Sequence, residues 1–157
     1  MALSRFCFSF TFVASLSTAA AAQPLDWQRY KVPESGAVVD IPTSIFAKDA
    51  GKPESGYGRR FRTSDYRAIL TVQTISNDEG DSPKVFLEKK NPPQNVVYKK
   101  VTNRFFAISS FREDKIWYNR CNFAARLATC VLISYPASEK RQWDGIVTRI
   151  SNTLASG

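Results

Sequence analysis

Two cysteines, Cys121 and Cys130, lie at equal distances from the centre of the segment AARL, residues 124–127. The segments around them, IWYNRCNF and ATCVLISY, are rich in aromatic and β-branched residues, which favour strands. If AARL is a four-residue hairpin loop, residues equidistant from its centre face each other, so the cysteines are directly opposed. The Cα atoms of a closely spaced antiparallel pair approach to about 4.5 Å, which a disulfide accepts. The sequence therefore predicts a disulfide-linked hairpin near the C-terminus.

The functional alternative for this pair is a redox-active dithiol. Catalytic dithiols favour the spacing CxxC at the start of a helix, which lowers the pKa of one thiol, and this pair has neither property. A structural disulfide is therefore the preferred interpretation. Closing a loop of about ten residues would stabilise the fold by about 2.5 to 3 kcal/mol through the entropy of the unfolded chain.

The N-terminal residues 1–22 have the three parts of a secretory signal peptide. Arg5 provides the positive region, Phe6–Leu16 the apolar region, and Ala20–Ala22 the small residues before a cleavage site. The alternative, a retained membrane anchor, is disfavoured because the apolar part is shorter than the roughly 20 residues that a span requires. We expect residues 23–157 to form one exported domain without a transmembrane segment, periplasmic or secreted, where disulfides persist.

Two amphipathic segments predict helices. The first is short: it begins after Ser82 with Pro83 at its first position, and Asn91-Pro92-Pro93 ends it. The second is C-terminal, with Ser138 as the candidate N-cap. Its apolar residues recur at helical spacing and are Trp143, Ile146, Val147, Ile150 and Leu154. An apolar stripe of this kind requires a sheet to cover.

The remaining segments alternate in the manner of strands. The predicted strands are Trp27–Val32, Ala37–Ile41, Tyr57–Arg62, Tyr66–Ile75, Val96–Val101, Arg104–Phe111, Ile116–Phe123 and Thr129–Tyr135. Thr102-Asn103 is a predicted two-residue connection with positive φ at Asn103, and residues 42–56 are a predicted surface connection. The fold class is α+β, a single domain whose antiparallel sheet packs against the C-terminal amphipathic helix and a second, short helix. An all-β sandwich, the alternative, would leave the C-terminal stripe without a partner.

The order of these elements resembles a known fold. The opening WQRYKVPESGAVVDIP, the FLEKK helix, the strands with IWYNRC and the closing YPASEKRQWDGIVTRISNTL are similar to small exported α/β proteins of Gram-negative bacteria and to the PsbP/Mog-type fold. The resemblance spans most of residues 26–154 and is one of element order and spacing, without a catalytic motif. Because proteins of this fold act mainly as binding or assembly subunits, the resemblance implies interaction rather than catalysis.

Histidine is absent from the chain. This excludes Ser/His/Asp triads, Cys/His dyads, HExxH zinc sites and histidine-ligated haem. No cofactor is expected, and no metal either, because the acidic segment 77–81 departs from the residue order of a calcium loop. The remaining enzymatic alternative is a carboxylate-dependent hydrolase of a cell-envelope polymer, for which Glu113, Asp114 and Asp144 are the acids to inspect.

The formal net charge is +8, which favours acidic partners. In a hairpin of residues 57–62 and 66–75, three arginines fall opposite the apolar face, where guanidinium groups can hold an anion by paired hydrogen bonds. The short helix and a later hairpin contribute a second basic group. The anion-binding candidates are Arg60, Arg62 and Arg67 in the first group and Lys89, Lys90, Lys99 and Lys100 in the second. The alternative is a set of separate, solvated side chains.

We therefore expect a small exported binding or assembly module with a basic surface and no evident catalytic machinery. The expected partner is a protein or an anionic component of the envelope, and nucleic acid is not an expected partner of an exported chain. Both faces of the hairpin 116–135 are apolar. The sheet should therefore be covered on both sides or buried in a homodimer.

Overall fold

The elements of the structure follow the periodicities of the sequence. The computed structural model describes residues 24–89 and 93–157, so the predicted signal peptide and Lys90 lie outside the described residues. The strands are β1 (Trp27–Lys31), β2 (Val38–Pro42), β3 (Lys48–Asp49), β4 (Tyr57–Arg62), β5 (Ile69–Ser76), β6 (Val96–Val101), β7 (Phe105–Arg112), β8 (Lys115–Ala124) and β9 (Leu127–Pro136). The helices are α1 (Pro83–Lys89) and α2 (Lys140–Thr153), the latter preceded by a 3-10 turn, Ala137–Glu139. The predicted class, a single α+β domain, is confirmed.

Seven strands form one antiparallel sheet in the order β3-β4-β5-β9-β8-β7-β6. β1 and β2 pair only with each other in a separate two-stranded sheet, whereas the sequence predicted one sheet. The reason is that β2 meets the end of α2. The backbone N–H of Asp40 donates to Thr153 Oγ1 at 3.0 Å, and Val38 exchanges backbone hydrogen bonds with Ala155. The first hairpin and α2 therefore cover the large sheet together.

The hairpin of β8 and β9 contains the predicted disulfide. Cys121 and Cys130 pair in register, with Cα atoms 4.1 Å apart and sulfur atoms 2.00 Å apart. The centre of the hairpin is where the sequence places it, but the loop has two residues rather than four because Ala124 and Leu127 still pair. Ala125 adopts a φ of 50° in this turn, which fits the positive φ that two-residue hairpin loops require.

The helix α2 covers one face of the large sheet. Its predicted stripe is buried: Trp143, Val147, Ile150 and Leu154 are at most 7% exposed, and Ile146 packs at the margin. The rings of Tyr135 on β9 and Trp143 stack with centroids 5.3 Å apart. Burial of each such side chain contributes about 1.5 to 3 kcal/mol. The predicted N-cap is wrong: Ser138 lies in the 3-10 turn that follows Pro136, and α2 begins only at Lys140 without a side-chain cap.

The helix α1 covers part of the opposite face. Phe86 and Leu87 are buried in one cluster with the disulfide and with apolar residues of β7. The helix begins at Pro83 as predicted, and Ser82 Oγ accepts a hydrogen bond from the Val85 N–H at 3.4 Å. The sheet is thus covered on both sides, but α1 has only seven residues and packs mainly on β7 and β8. The rest of this face is incompletely covered.

Two predicted connections differ from the structure. Within residues 42–56, β3 pairs with β4, and Phe46 is buried with its ring centroid 5.8 Å from that of Trp143. The connection between β6 and β7 lies one residue later than the predicted Thr102-Asn103, because the Thr102 N–H still donates to the Phe105 carbonyl at 2.8 Å. Its hydroxyl also accepts the N–H of Phe105 at 3.0 Å. This side-chain bond stabilises the turn, and Asn103 does not adopt the predicted positive φ.

Candidate functional site

Cross-strand pairing decides which basic side chains share a face, because paired residues of antiparallel strands project to the same side of the sheet. Arg62 pairs with Ile69, and Arg60 pairs with Thr71. The intervening Phe61 packs against the core on the α2 side. The two arginines therefore project to the side of the sheet that α1 covers only in part.

Two rows of side chains cross this incompletely covered part of the sheet. One row runs through Arg62, Ile69, Ser134 and Trp117, and the next runs through Arg60, Thr71, Leu132 and Asn119. We refer to these residues as the open face. Ser134 is buried, Trp117 is 40% exposed, and the others are half-buried. The open face is therefore an accessible, nearly flat surface with an indole at one end of its first row.

The Trp117 side chain projects beyond its cross-strand neighbours because both of them are serines. Ser134 on β9 and Ser110 on β7 pair with it and are buried. The Arg112 guanidinium lies 4.7 Å from the centroid of the Trp117 ring. Tryptophan and arginine are the residues most enriched among those that dominate binding energy at protein interfaces.

Arg60 and Arg62 carry charge that no carboxylate in the described part of the chain neutralises. Neither has a carboxylate oxygen within 4.0 Å among residues 24–89 and 93–157. The Arg62 guanidinium lies 4.2 Å from the centroid of the Tyr66 ring, and its Nε is buried without a hydrogen-bond partner. A buried donor without an acceptor costs about 1 to 3 kcal/mol. Among the described residues, the two arginines of the open face therefore have no ionic partner, and Arg62 Nε has no hydrogen-bond acceptor.

Arg67, by contrast, is neutralised within the chain. Its Nε donates to Asp65 at 2.7 Å, and its NH1 donates to Glu139 of the 3-10 turn. Hydrogen bonds from Thr63 and Arg67 hold the pKa of Asp65 well below its usual range. The structure therefore does not group Arg67 with the two uncompensated arginines of the open face.

Lys89 is also neutralised. Its Nζ contacts Asp81 at 2.8 Å and also contacts Glu79, and these carboxylates raise the pKa of Lys89. The Asn77 side chain closes the acidic segment, since its Nδ2 donates to the Asp81 carbonyl at 3.0 Å. In the described part of the chain, no three Cys, Asp or Glu side chains are grouped so that they could hold a metal ion. The remaining candidate of this group, Lys90, lies outside the described residues.

The adjacent lysines Lys99 and Lys100 project to opposite sides of the sheet. Lys99 pairs with Ile108, which belongs to the cluster under α1, whereas Lys100 pairs with Ala107 on the α2 side. Neither lysine has an ion-pair partner among the residues that the structure describes. The second basic group of the sequence is therefore divided between two surfaces.

A cavity of about 290 Å³ lies on the α2 side, between the C-terminal half of α2 and strands β6 to β8. We refer to this cavity as the groove; its lining includes Tyr98, Lys100, Phe105, Tyr118, Arg120 and Ser151. The hydroxyl groups of Tyr118 and Ser151 are 2.6 Å apart and share a hydrogen bond. Arg120 donates to Ser151 Oγ at 3.1 Å and to Asn122 Oδ1 at 3.0 Å. These bonds fix one wall of the groove to α2.

Two cations in the groove lie near the ring of Phe105. The Arg120 guanidinium carbon is 4.3 Å from its centroid, and the Lys100 ammonium nitrogen is 5.7 Å from it. Arg120, like Lys100, has no carboxylate within 4.0 Å in the described ranges. Burial raises the pKa of Tyr118, so its hydroxyl stays protonated. The groove combines aromatic walls with uncompensated positive charge.

The acids of the hydrolase alternative do not lie in either cavity. Glu113 and Asp114 are the central residues of the turn between β7 and β8, and both are exposed. Asp144 on α2 accepts a hydrogen bond from Lys140 at 2.8 Å. Neither the groove nor the cavity of about 300 Å³ beside Lys89 has any of these three acids in its lining.

Sequence reasoning did not single out Arg112 or Arg120, and it interpreted Trp117 as one of the strand aromatics that belong to the core, whereas Trp117 is 40% exposed. All three lie on strands that carry apolar residues on both faces, so periodicity alone does not show which face of the sheet the helices leave uncovered. The reach of α1 and the path of α2 decide this. Arg112 pairs with Lys115 across the strands, and its contact with the Trp117 ring follows only from the register of β7 and β8.

No protein-family model and no curated protein sequence matches this chain. Among solved structures, the chain is similar to cyanobacterial PsbP (CyanoP) from Synechocystis sp. PCC 6803, with a TM-score of 0.62, 8% identity, and coverage of 90% of this chain and 99% of that one. It is also similar to the Ran-binding protein Mog1p of Saccharomyces cerevisiae, with a TM-score of 0.54, 6% identity, and coverage of 84% and 96%. The fold is of the PsbP/Mog type.

The two likenesses confirm the fold that the sequence resembles, and at these identities they show the fold alone. The open face and the groove lie on opposite sides of the sheet in this PsbP/Mog-type fold. Neither helix of the described ranges has the length and apolar character that a membrane span requires.

Proposed function

We propose that this chain is an exported module, periplasmic or secreted, that binds an acidic surface of a partner protein through the open face. The signal-peptide pattern of residues 1–22 and the disulfide support export, because disulfides persist outside the cytoplasm. The net charge of +8 supports attraction to an acidic partner.

The observation that carries the proposal is the combination of Trp117 with uncompensated arginines on one flat, accessible surface. A half-exposed indole offers apolar area that a partner can bury, and guanidinium groups pair with carboxylates in a bidentate geometry. Arg60 and Arg62 are held by the sheet with their side chains half-buried, so ordering them on binding costs little entropy. A partner carboxylate would supply the acceptor that the chain does not provide.

A protein fits this surface better than a lipid bilayer does. Membrane-binding surfaces place apolar side chains on a protruding helix or loop that enters the headgroup region, whereas Trp117 lies within a sheet. Arginines and an exposed tryptophan on one surface are typical of protein interfaces. The fold also supports a protein partner, since Mog1p is by its name a Ran-binding protein.

Site-specific photocrosslinking in the native host would identify the partner. A photoreactive residue replaces Thr71 within the open face and, as a control, the exposed Gln142 on α2. We expect a protein adduct from position 71 and not from position 142. A lipid or polymer adduct from position 71 would overturn the protein assignment. Recovery from the periplasm of a chain that begins at Gln23 tests export, and a chain retained with residues 1–22 in the cytoplasm would refute it.

The purified partner then allows a quantitative test. Trp117→Ala and the double variant Arg60→Gln/Arg62→Gln should each weaken binding at least tenfold. The matched control is Lys31→Gln/Arg141→Gln, which removes the same charge at exposed positions without an ion pair among the described residues. Equal weakening in the control would show that net charge, rather than the open face, determines binding.

A further inference from the structure

The groove on the α2 side is separate from the open face and has the composition of a small-ligand site. Its volume of about 290 Å³ is at the lower end of the range for ligand cavities. Phe105, Tyr98 and Tyr118 provide aromatic walls, and Arg120 and Lys100 provide charge. This mixture of apolar lining with a few convergent polar groups is what ligand sites commonly show.

No carboxylate of residues 24–89 or 93–157 lies within ion-pair distance of the positive charge in the groove. Arg120 and Lys100 both lie near the Phe105 ring, so they are separated by no more than the sum of their distances to it, 4.3 and 5.7 Å. Two like charges at such a separation repel. Arg120 is also half-buried, and a cation that loses hydration without gaining a counter-charge destabilises the fold. A bound anion would remove both costs.

The Arg120 guanidinium is held in place before any ligand binds. Its Nε donates to Asn122 and one terminal nitrogen donates to Ser151, which leaves the N–H groups of its other terminal nitrogen for an incoming oxygen. The Tyr118 hydroxyl is bonded to the same Ser151 oxygen and stays protonated. Fixed donors lower the entropic cost of binding and favour a planar oxyanion.

We propose that the groove binds a small carboxylate whose apolar or aromatic body packs against Phe105. Arg120 donates hydrogen bonds to the carboxylate, and Lys100 adds the second positive charge. A carboxylate with an apolar body is favoured over inorganic phosphate because the aromatic lining offers apolar area that only such a ligand can bury.

The test uses 3-phenylpropanoate as the probe, its neutral amide as the isosteric control, and inorganic phosphate as the competing anion. The carboxylate should shift the backbone amide resonances of Phe105, Arg120 and Ser151 in a saturable manner. The amide should bind at least tenfold more weakly, and phosphate should not saturate these resonances. Absence of saturable shifts with the carboxylate would overturn the proposal, as would equal binding of the amide or of phosphate.

Variants of adjacent residues provide a matched control. Arg120→Gln should weaken the carboxylate at least tenfold, and Lys100→Gln about threefold. Lys99→Gln removes the same charge one residue away but on the other side of the sheet, and it should leave the affinity unchanged. Lys100 is exposed, so its variant should fold even if Arg120→Gln does not. Equal effects of the two lysine variants would overturn the assignment to the groove. Binding of the open-face partner to the same variants is measured in a separate experiment.

Discussion

Reduction of the disulfide should destabilise this domain by an amount that follows from its geometry. Cys121 and Cys130 are nine residues apart in sequence, so the bond closes a loop of about ten residues. The chain-entropy relation gives about 2.7 kcal/mol for such a loop at 25 °C. The domain should nevertheless stay folded, because β8 and β9 pair with each other along ten residues and lie inside the seven-stranded sheet. We therefore expect a loss of stability without a loss of cooperativity.

The assay is equilibrium urea unfolding of residues 23–157, with and without a strong reductant, followed by tryptophan fluorescence and far-ultraviolet circular dichroism. With a slope of about 2 kcal/mol per molar urea, reduction should lower the midpoint by about 1.3 M. The two sulfur atoms are buried, so the reduced samples are refolded from the unfolded state. The double variant Cys121→Ala/Cys130→Ala is the control, and its midpoint should not respond to reductant. An unchanged wild-type midpoint, or non-cooperative unfolding after reduction, would refute this reasoning.

Two further predictions concern backbone conformation and pH. Gly145→Ala should raise the melting temperature by about 2 to 4 °C, because glycine costs about 0.5 to 1 kcal/mol in a helix interior and no atom lies within 4 Å of the new Cβ. Gly58→Ala should lower it, since φ is +136° and the Cβ would lie 2.1 Å from the Val72 carbonyl oxygen; equal shifts in the two variants would contradict this. Burial raises the pKa of Tyr135 from 10.0 to about 12, so the folded chain keeps a proton that the unfolded chain releases. The contribution of Tyr135 to the free energy of unfolding should therefore fall by up to about 1.4 kcal/mol per pH unit between about pH 10 and 12, and Tyr135→Phe should remove this contribution from the pH profile; an unchanged slope in the variant would contradict it.

Local patterns were sufficient for the elements and for one long-range bond. The apolar residues from Trp143 to Leu154 recur at helical spacing and predict α2. The two cysteines lie at equal distances from the centre of residues 124–127 and so predict the register of β8 and β9. Both features depend on residues close in sequence. The separate β1–β2 sheet was not predictable in this way, because it depends on a contact between Asp40 and Thr153 at the other end of the chain.

The candidate sites were predictable as a set of basic residues but not as surfaces. The sequence groups Arg67 with Arg60 and Arg62 because it predicts a strand from Tyr66 onward, but the strand begins at Ile69 and Arg67 lies in the turn before it. Its ion pair with Glu139 joins residues 72 positions apart, and no local pattern indicates it. Lys89 likewise pairs with Glu79 across a loop. Tertiary contacts thus neutralise two of the basic residues that the sequence proposes as anion-binding candidates, Arg67 and Lys89.

Lys99 and Lys100 project to opposite sides of the sheet, so a comparison of their variants tells whether the groove is a distinct site or whether binding responds only to net charge. Adjacent residues of a strand project to opposite faces, and here one lysine borders the cluster under α1 while the other enters the groove. Charges on the two faces of a sheet are about as far apart as the screening length of 8 to 10 Å at physiological salt. Two distinct sites therefore require that Lys100→Gln weaken the carboxylate in the groove and that Lys99→Gln leave it unchanged at this ionic strength. If both variants weakened both ligands equally, and only at low salt, the surfaces would act through net charge alone.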